Sequence, residues 1–225
     1  MNPSASYVAT GLSVSSRLKE KNRFDRPVTL LNQLGAAILI VLTSPLMLTV
    51  AWLIWRKDGN PILFGHYRVG RNGQLFKCWK FRSMVVNSAD ILAELLRTNP
   101  IAKAEWDRDQ KLNNDPRITP VGAFLRKTSL DELPQLFNVL RGEMRLVGPR
   151  PITLAELDRY GEARWHYLNA TPGMTGLWQV SGRSDTTYEE RVELDRTYVE
   201  KRTLWQDIVI LFKTVLVVMG KGGAR

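Results

Sequence analysis

Two adjacent carboxylates, Asp131 and Glu132, follow a basic pair, Arg126 and Lys127, in the run Leu125-Arg126-Lys127-Thr128-Ser129-Leu130-Asp131-Glu132-Leu133-Pro134-Gln135-Leu136. Shortly after comes Gly148-Pro149-Arg150-Pro151, an arginine between two prolines whose fixed φ angles lower the entropy of holding the backbone there. Acids beside cations suit phosphate chemistry, because arginine grips phosphate bidentately and cations neutralise the oxygens that would repel a carboxylate nucleophile. A purely structural reading competes. Ser129-x-x-Glu132 matches a capping box, with Ser129 as N-cap, Glu132 reaching back and Asp131 complementing the helix dipole. Pro134 fits that helix poorly, so a later start with Pro134 in the first turn is the other option. Both put the acids at a helix start, where backbone donors favour anions, and successive helical residues point about 100° apart. One carboxylate can then attack while the other holds a metal.

Composition narrows the partners. The chain has 225 residues and a formal net charge of +10, enough length for one catalytic-sized domain with an appendage and enough charge to call for an acidic partner. Nucleic acid, anionic headgroups and phosphorylated substrates all qualify on charge alone. The single cysteine, Cys78, excludes an intrachain disulfide, and with only His66 and His166 a zinc cage is disfavoured. A metal here is expected to be a hard cation on oxygen ligands, such as magnesium.

These groups need positioning. Residues 1–27 read as a mobile basic arm, with cations gathering at Arg17, Lys19, Lys21, Arg23 and Arg26. From Pro27 to Trp55 there is no charged residue, and the segment 34–55 is long enough to cross a hydrocarbon core of about 30 Å if straight. Ser44-Pro45 lies near its middle, where proline removes a helical hydrogen bond, and each half rises only about 16 Å. Cations flank both ends, with Arg56 and Lys57 following, so the positive-inside bias puts both ends on the cytoplasmic side and favours a re-entrant helix-break-helix over residues 28–56. A kinked spanning helix and a buried core helix remain the alternatives.

A catalytic domain is expected over 57–200. The runs 62–70 and 75–82, joined by Arg71-Asn72-Gly73-Gln74, predict a β-hairpin with an Asn-Gly turn. Alternation sends Lys77 and Trp79 to one side and Phe76, Cys78, Lys80 and Arg82 to the other, either to grip a phosphate and a base or to protect a solvated edge. An amphipathic helix is predicted over 87–97, then a surface excursion with a short helix near 102–110. The run Pro172 to Arg183 holds glycines around a short apolar strand, which permit close approach of the backbone to a ligand or simply tight turns. Residues 201–225 form an amphipathic helix and tail, since Asp207 and Lys213 interrupt the apolar run 204–219 and argue against a span.

Taken as a set and in this order, Lys80-Phe81-Arg82-Ser83-Met84, residues 125–136, Gly148-Pro149-Arg150-Pro151 and residues 172–183 resemble the bacterial sugar transferases known as monotopic phosphoglycosyl transferases. The resemblance runs from about Leu30 to Gly220. Through residues 65–73 and 178–185 it is nearest to the galactose-phosphate transferases that start O-antigen or capsule repeats, and it covers their catalytic module. It implies an α+β fold, mostly helical with a small hairpin. It further implies transfer of a hexose 1-phosphate from a UDP-sugar to undecaprenyl phosphate at the cytoplasmic face of the inner membrane, with release of UMP. By that similarity Asp131 is the nucleophile, Glu132 a catalytic magnesium ligand, and Lys80, Arg82, Arg126, Arg150 and Arg183 substrate-binding cations. Ser44 and Pro45 mark the re-entrant break. UDP-sugar, undecaprenyl phosphate and membrane lipid are the expected partners, nucleic acid is not, and homodimerisation is left open. Glucose 1-phosphate as the transferred group, or a non-enzymatic membrane-tethered basic module, are the alternatives.

Overall fold

A computed structural model of the chain describes residues 11–109, 112–182 and 186–220. One long helix, α1 (Gly11–Asp58), leads into the rest. Residues 11–27, expected to be irregular, are therefore helical. The interruption expected at Ser44-Pro45 is not drawn as a break either: Pro45 lies inside α1. The reason is local. Proline cannot donate to the carbonyl four residues back, and that carbonyl, on Val41, accepts the Ser44 hydroxyl at 2.8 Å instead. Thr43 and Thr49 donate likewise to Leu39 and Pro45 at 2.7 and 2.8 Å.

One stripe of α1 faces the body. Ala36, Val50 and Ile54 are buried, with Ile40 and Met47 packed between them in steps of three, four and seven residues. The opposite face leaves Leu31, Leu34, Val41, Leu42, Leu48 and Trp52 exposed. Among the described residues, the part of α1 from Arg26 to Asp58 is the one helix long and apolar enough to cross a membrane.

The predicted hairpin forms from β1 (Leu63–Val69) and β2 (Leu75–Phe81), in register from Leu63 opposite Phe81 to Val69 opposite Leu75. Its turn puts Asn72 and Gly73 at φ of 57° and 77°, the left-handed pair that the Asn-Gly signal anticipates. Helices α2 (Ser88–Thr98) and α3 (Pro100–Asp109) make the expected excursion, and α4 (Pro120–Thr128) and α5 (Gln135–Leu140) bracket the acid pair. On α5, Asn138 is fully buried and grips the open edge of β2: it accepts from the Trp79 N–H at 3.0 Å and donates to the Lys77 carbonyl at 2.8 Å.

A second, parallel pair, β3 (Arg145–Val147) with β4 (Gly173–Thr175), is not legible from the sequence. Here the glycines of the 172–183 run find their use. A Cβ on Gly173 or Gly176 would collide with the Gly148 backbone, so the close approach these two permit is to the chain leaving β3. Short helices α6 (Leu154–Asp158), α7 (Arg164–Leu168) and α8 (Leu177–Val180) precede α9 (Tyr188–Lys201) and α10 (Leu204–Met219). The last is amphipathic as expected: Ile210 is buried, while Leu204, Trp205, Ile208, Phe212 and Val215 stay exposed. Asp207, which breaks its apolar run, accepts the Tyr198 hydroxyl at 2.6 Å and pairs with Arg202 at 3.2 Å.

Replacing Asn138 with alanine orphans the Trp79 N–H and the Lys77 carbonyl together. Each buried, unsatisfied backbone group costs about 1–3 kcal/mol, so thermal unfolding of Asn138→Ala in detergent is expected several degrees below wild type.

Candidate active site

The acid pair sits in a 3-10 turn, Leu130–Glu132, between α4 and α5. The capping box expected of Ser129 and Glu132 does not form. Ser129 takes a left-handed conformation, φ 57° and ψ 16°, closes α4 through its backbone N–H, and makes no side-chain cap. That conformation is uncommon for a residue with a Cβ; it turns the chain sharply, and Pro134 then opens α5 one residue before its first helical position. Two leucines fix the turn from either side. Leu130 and Leu133 pack against the cluster of Val50, Ile54, Phe81 and Leu125, so the long apolar helix itself holds the acids in place.

Asp131 is 7% exposed, and Glu132 is more open. Lys80, from β2, reaches both: its Nζ is 2.6 Å from Glu132 Oε1 and 3.9 Å from Asp131 Oδ2. Arg150 Nη1 lies 4.0 Å from the same Glu132 oxygen, and its guanidinium rests over the Trp178 ring at 5.7 Å. Arg126 is held from the other side, its Nε donating to Ser83 Oγ at 2.9 Å. Gly122 permits this arrangement, because any Cβ there would strike the Ser83 backbone and push α4 away.

Burial pushes the Asp131 carboxyl above the usual carboxylate range; Lys80 and Arg126 pull it back and Glu132 adds to the rise. Lys80, Arg126 and Arg150 therefore converge on the acids as the sequence suggests. Arg82 does not join them. It is buried, with Nη2 donating to the Asp58 and Gly59 carbonyls at 2.6 and 2.8 Å, where the negative end of α1 attracts a cation. β2 ends at Phe81, and strand alternation no longer governs where the next side chain goes. Arg183 lies outside the described residues.

Sequence reasoning missed a second ionic cluster, centred on Glu156. Glu156 closes the capping box of α6 and binds Arg68 at 3.2 Å and Arg191 at 3.3 Å. Burial works against its charge, yet the Thr153 N–H, Arg191 and Arg68 bring it below its ordinary value. Asp195, 2% exposed and accepting the Tyr160 hydroxyl at 2.8 Å, is pushed up to about 6 by burial. Thr153-x-x-Glu156 was a findable signal; the meeting of Glu156 with Arg68 and Arg191 is a property of the fold alone.

The raised value at Asp131 has a definite sign. The folded state disfavours its ionised form, so its contribution to stability declines as pH rises from the ordinary carboxylate value through the folded one, and stays lost above that. Asp131→Asn is therefore expected to unfold at the same or a higher temperature than wild type at neutral pH. In thermal scans at decreasing pH the difference should close once both carboxyl states are protonated.

A family model described as bacterial sugar transferase matches residues 26–221. The chain is 60% identical over 187 residues to an undecaprenyl-phosphate galactose phosphotransferase of Salmonella typhimurium, covering 83% of this chain and 39% of that protein. It is 56% identical over 214 residues to a UDP-galactose-lipid carrier transferase of Erwinia amylovora, covering 95% of this chain and 44% of that protein. It is also 51% identical over 182 residues to the exopolysaccharide production protein ExoY of Rhizobium meliloti, covering 81% of this chain and 80% of that one. The chain thus spans about two fifths of the length of the first two relatives. With the family model spanning nearly all of its described residues, the chain belongs to the bacterial sugar transferase family.

Proposed function

We propose that the chain transfers a hexose 1-phosphate, with galactose 1-phosphate the expected group, from a UDP-hexose to undecaprenyl phosphate and releases UMP. This would be the first membrane step of exopolysaccharide, capsule or O-antigen synthesis. The observation that carries the reading is a buried carboxylate, Asp131, set among Lys80, Arg126 and Arg150 on a turn packed against an apolar helix. The names of the relatives supply galactose, UDP-galactose, undecaprenyl phosphate and a lipid carrier.

In this mechanism an oxygen of ionised Asp131 attacks the phosphorus that bears the sugar. The bond from that phosphorus to the bridging oxygen breaks, and UMP leaves with the oxygen and its electron pair. A phosphate oxygen of the polyprenyl acceptor then attacks the same phosphorus. The bond to Asp131 breaks, the carboxylate is restored, and the lipid carries the sugar on a diphosphate. Lys80, Arg126 and Arg150 neutralise the phosphate oxygens as the carboxylate approaches.

Glu132, the more open acid, fits a magnesium ion, which takes one or two protein carboxylates and fills its remaining positions with phosphate oxygens and water. Among the described residues there is no cluster of three or more His, Cys, Asp and Glu side chains, so a dedicated protein cage is not on offer. When bound, the ion would draw charge from the diphosphate as UMP departs.

Monotopic seating is favoured by where α1 touches the body, and the cations flanking its apolar part, Arg26, Arg56 and Lys57, favour the cytoplasmic face. Near the start of the apolar part of α1 Asn32 accepts the Leu146 N–H at 2.8 Å and Gln33 donates to the Leu140 carbonyl at 2.9 Å; near its end Val50 and Ile54 pack under the acid turn. A helix crossing a bilayer would separate those two ends by about 30 Å of hydrocarbon, and one polar body could not meet both.

UMP release from UDP-galactose, undecaprenyl phosphate and magnesium is the direct test, with UDP-glucose and UDP-N-acetyl sugars deciding the donor. Asp131→Asn is expected to lose at least about a thousandfold in turnover. The wild-type rate should fall with acid at a pH above the ordinary carboxylate range, since Asp131 must be ionised to attack; turnover that survives in Asp131→Asn would sink the covalent route. Cysteines at Arg26 and Lys57 are both expected to label from the cytoplasmic side of sealed vesicles, and labelling from opposite sides would overturn monotopic seating.

A further inference from the structure

The hairpin carries a second group of side chains beside the acid pair. Register puts Phe64 opposite Lys80, His66 opposite Cys78 and Arg68 opposite Phe76, and paired residues of an antiparallel ribbon project from the same face. The β2 half of that face is closed, with Phe76 and Cys78 buried against Ala36, Leu136, Val139 and Met144. On the β1 half, Arg68 is taken by Glu156. Phe64 and His66 alone on this half stay open: Phe64 is 54% exposed, and the two rings lie 15° from parallel with centroids 6.2 Å apart. On the opposite face of the hairpin Lys77 lies over Tyr67 and Trp79 at 6.0 and 5.1 Å, with Tyr67 itself 62% exposed.

We propose that Phe64 and His66 form a stacking platform for the pyrimidine ring of the donor nucleotide, with Lys80 at its edge reaching toward the diphosphate. This rests on the reading of the site as one that acts on a nucleoside diphosphate sugar. Lys80 joins the two halves of the argument. Its amine meets Glu132 at 2.6 Å, while its backbone position lies directly across the ribbon from Phe64, one cross-strand step of about 5 Å away. A nucleoside diphosphate presents a flat ring on one side of its ribose and two phosphates on the other, so it calls for a π surface next to cations. Ring stacking also suits a base without needing a hydrogen-bonding pocket. Burial, then Arg68 and Lys80, lower the His66 pKa against the opposing pull of Glu156, so at neutral pH its imidazole offers a neutral ring.

The test is calorimetric binding of UMP to the detergent-solubilised full chain, with galactose 1-phosphate as a second probe and vesicle flotation as a control. Phe64→Ala is expected to weaken UMP by about tenfold or more, and Phe64→Tyr to bind like wild type. Phe64→Leu keeps apolar bulk on the hairpin but removes the π face, so it should weaken UMP as alanine does. Affinity for galactose 1-phosphate, flotation and unfolding temperature should not move. A loss that falls on galactose 1-phosphate instead would make the rings a sugar platform and overturn the proposal. Lost flotation with UMP binding intact would make them a membrane contact, with the same result. A leucine variant that binds UMP normally, or a wild type that binds none, also overturns it. If UMP binding depends on Phe64 while no donor is turned over, the transferase reading fails and the platform stands.

Discussion

Leu133 packs into two clusters at once, one with Ala36, Leu136, Val139 and Met144 and the other with Val50, Ile54, Phe81 and Leu125. Both contain residues of α1. The acid turn is thus clamped between the apolar helix and the body, with Leu130 on its other side. Interiors packed at crystal-like density transmit displacement rather than absorbing it, so the depth and tilt of α1 are felt directly at Asp131. The usual division between an anchor and a catalytic domain does not describe this arrangement, because the helix that exposes Leu34, Val41 and Leu48 on one side forms the floor of the site on the other.

The electrostatics of the site follow from that clamp. Packing the turn against aliphatic side chains strips water from Asp131, and a carboxylate without water needs cations. Lys80, Arg126 and Arg150 come from three different elements, each fixed by a contact of its own: the β1–β2 register, the Ser83 hydroxyl and the Trp178 ring. The cations only partly offset the burial. What results is a carboxylate whose charge is costly to keep.

The sequence carried the parts of this structure that depend on local rules. Asn72-Gly73 announced the hairpin, alternation put Lys80 and Cys78 on one face, and the crowding of Arg126, Asp131, Glu132 and Arg150 marked a place where the fold does gather acids and cations. The failures came where distant groups decide the outcome. Ser129 looked like a cap, but the need to turn from α4 into α5 put it in a left-handed conformation instead. Arg82 obeyed alternation only until its strand stopped, after which the carbonyls at the end of α1 claimed it. Asn138 has no sequence signature at all, since a buried asparagine bridging a strand edge depends on a partner some 60 positions away.

The contact between Gly148 and Gly173 bears on how Arg150 tolerates change. Pro149 and Arg150 leave β3 from a point where two backbones touch with no side chain between them, and the Pro149 carbonyl accepts the Gly173 N–H at 2.8 Å. The anchorage of that arginine is thus main chain on main chain. Neighbouring side chains can grow, shrink or be exchanged during divergence without moving the point from which it is hung, whereas one added methyl at either glycine would displace it at once.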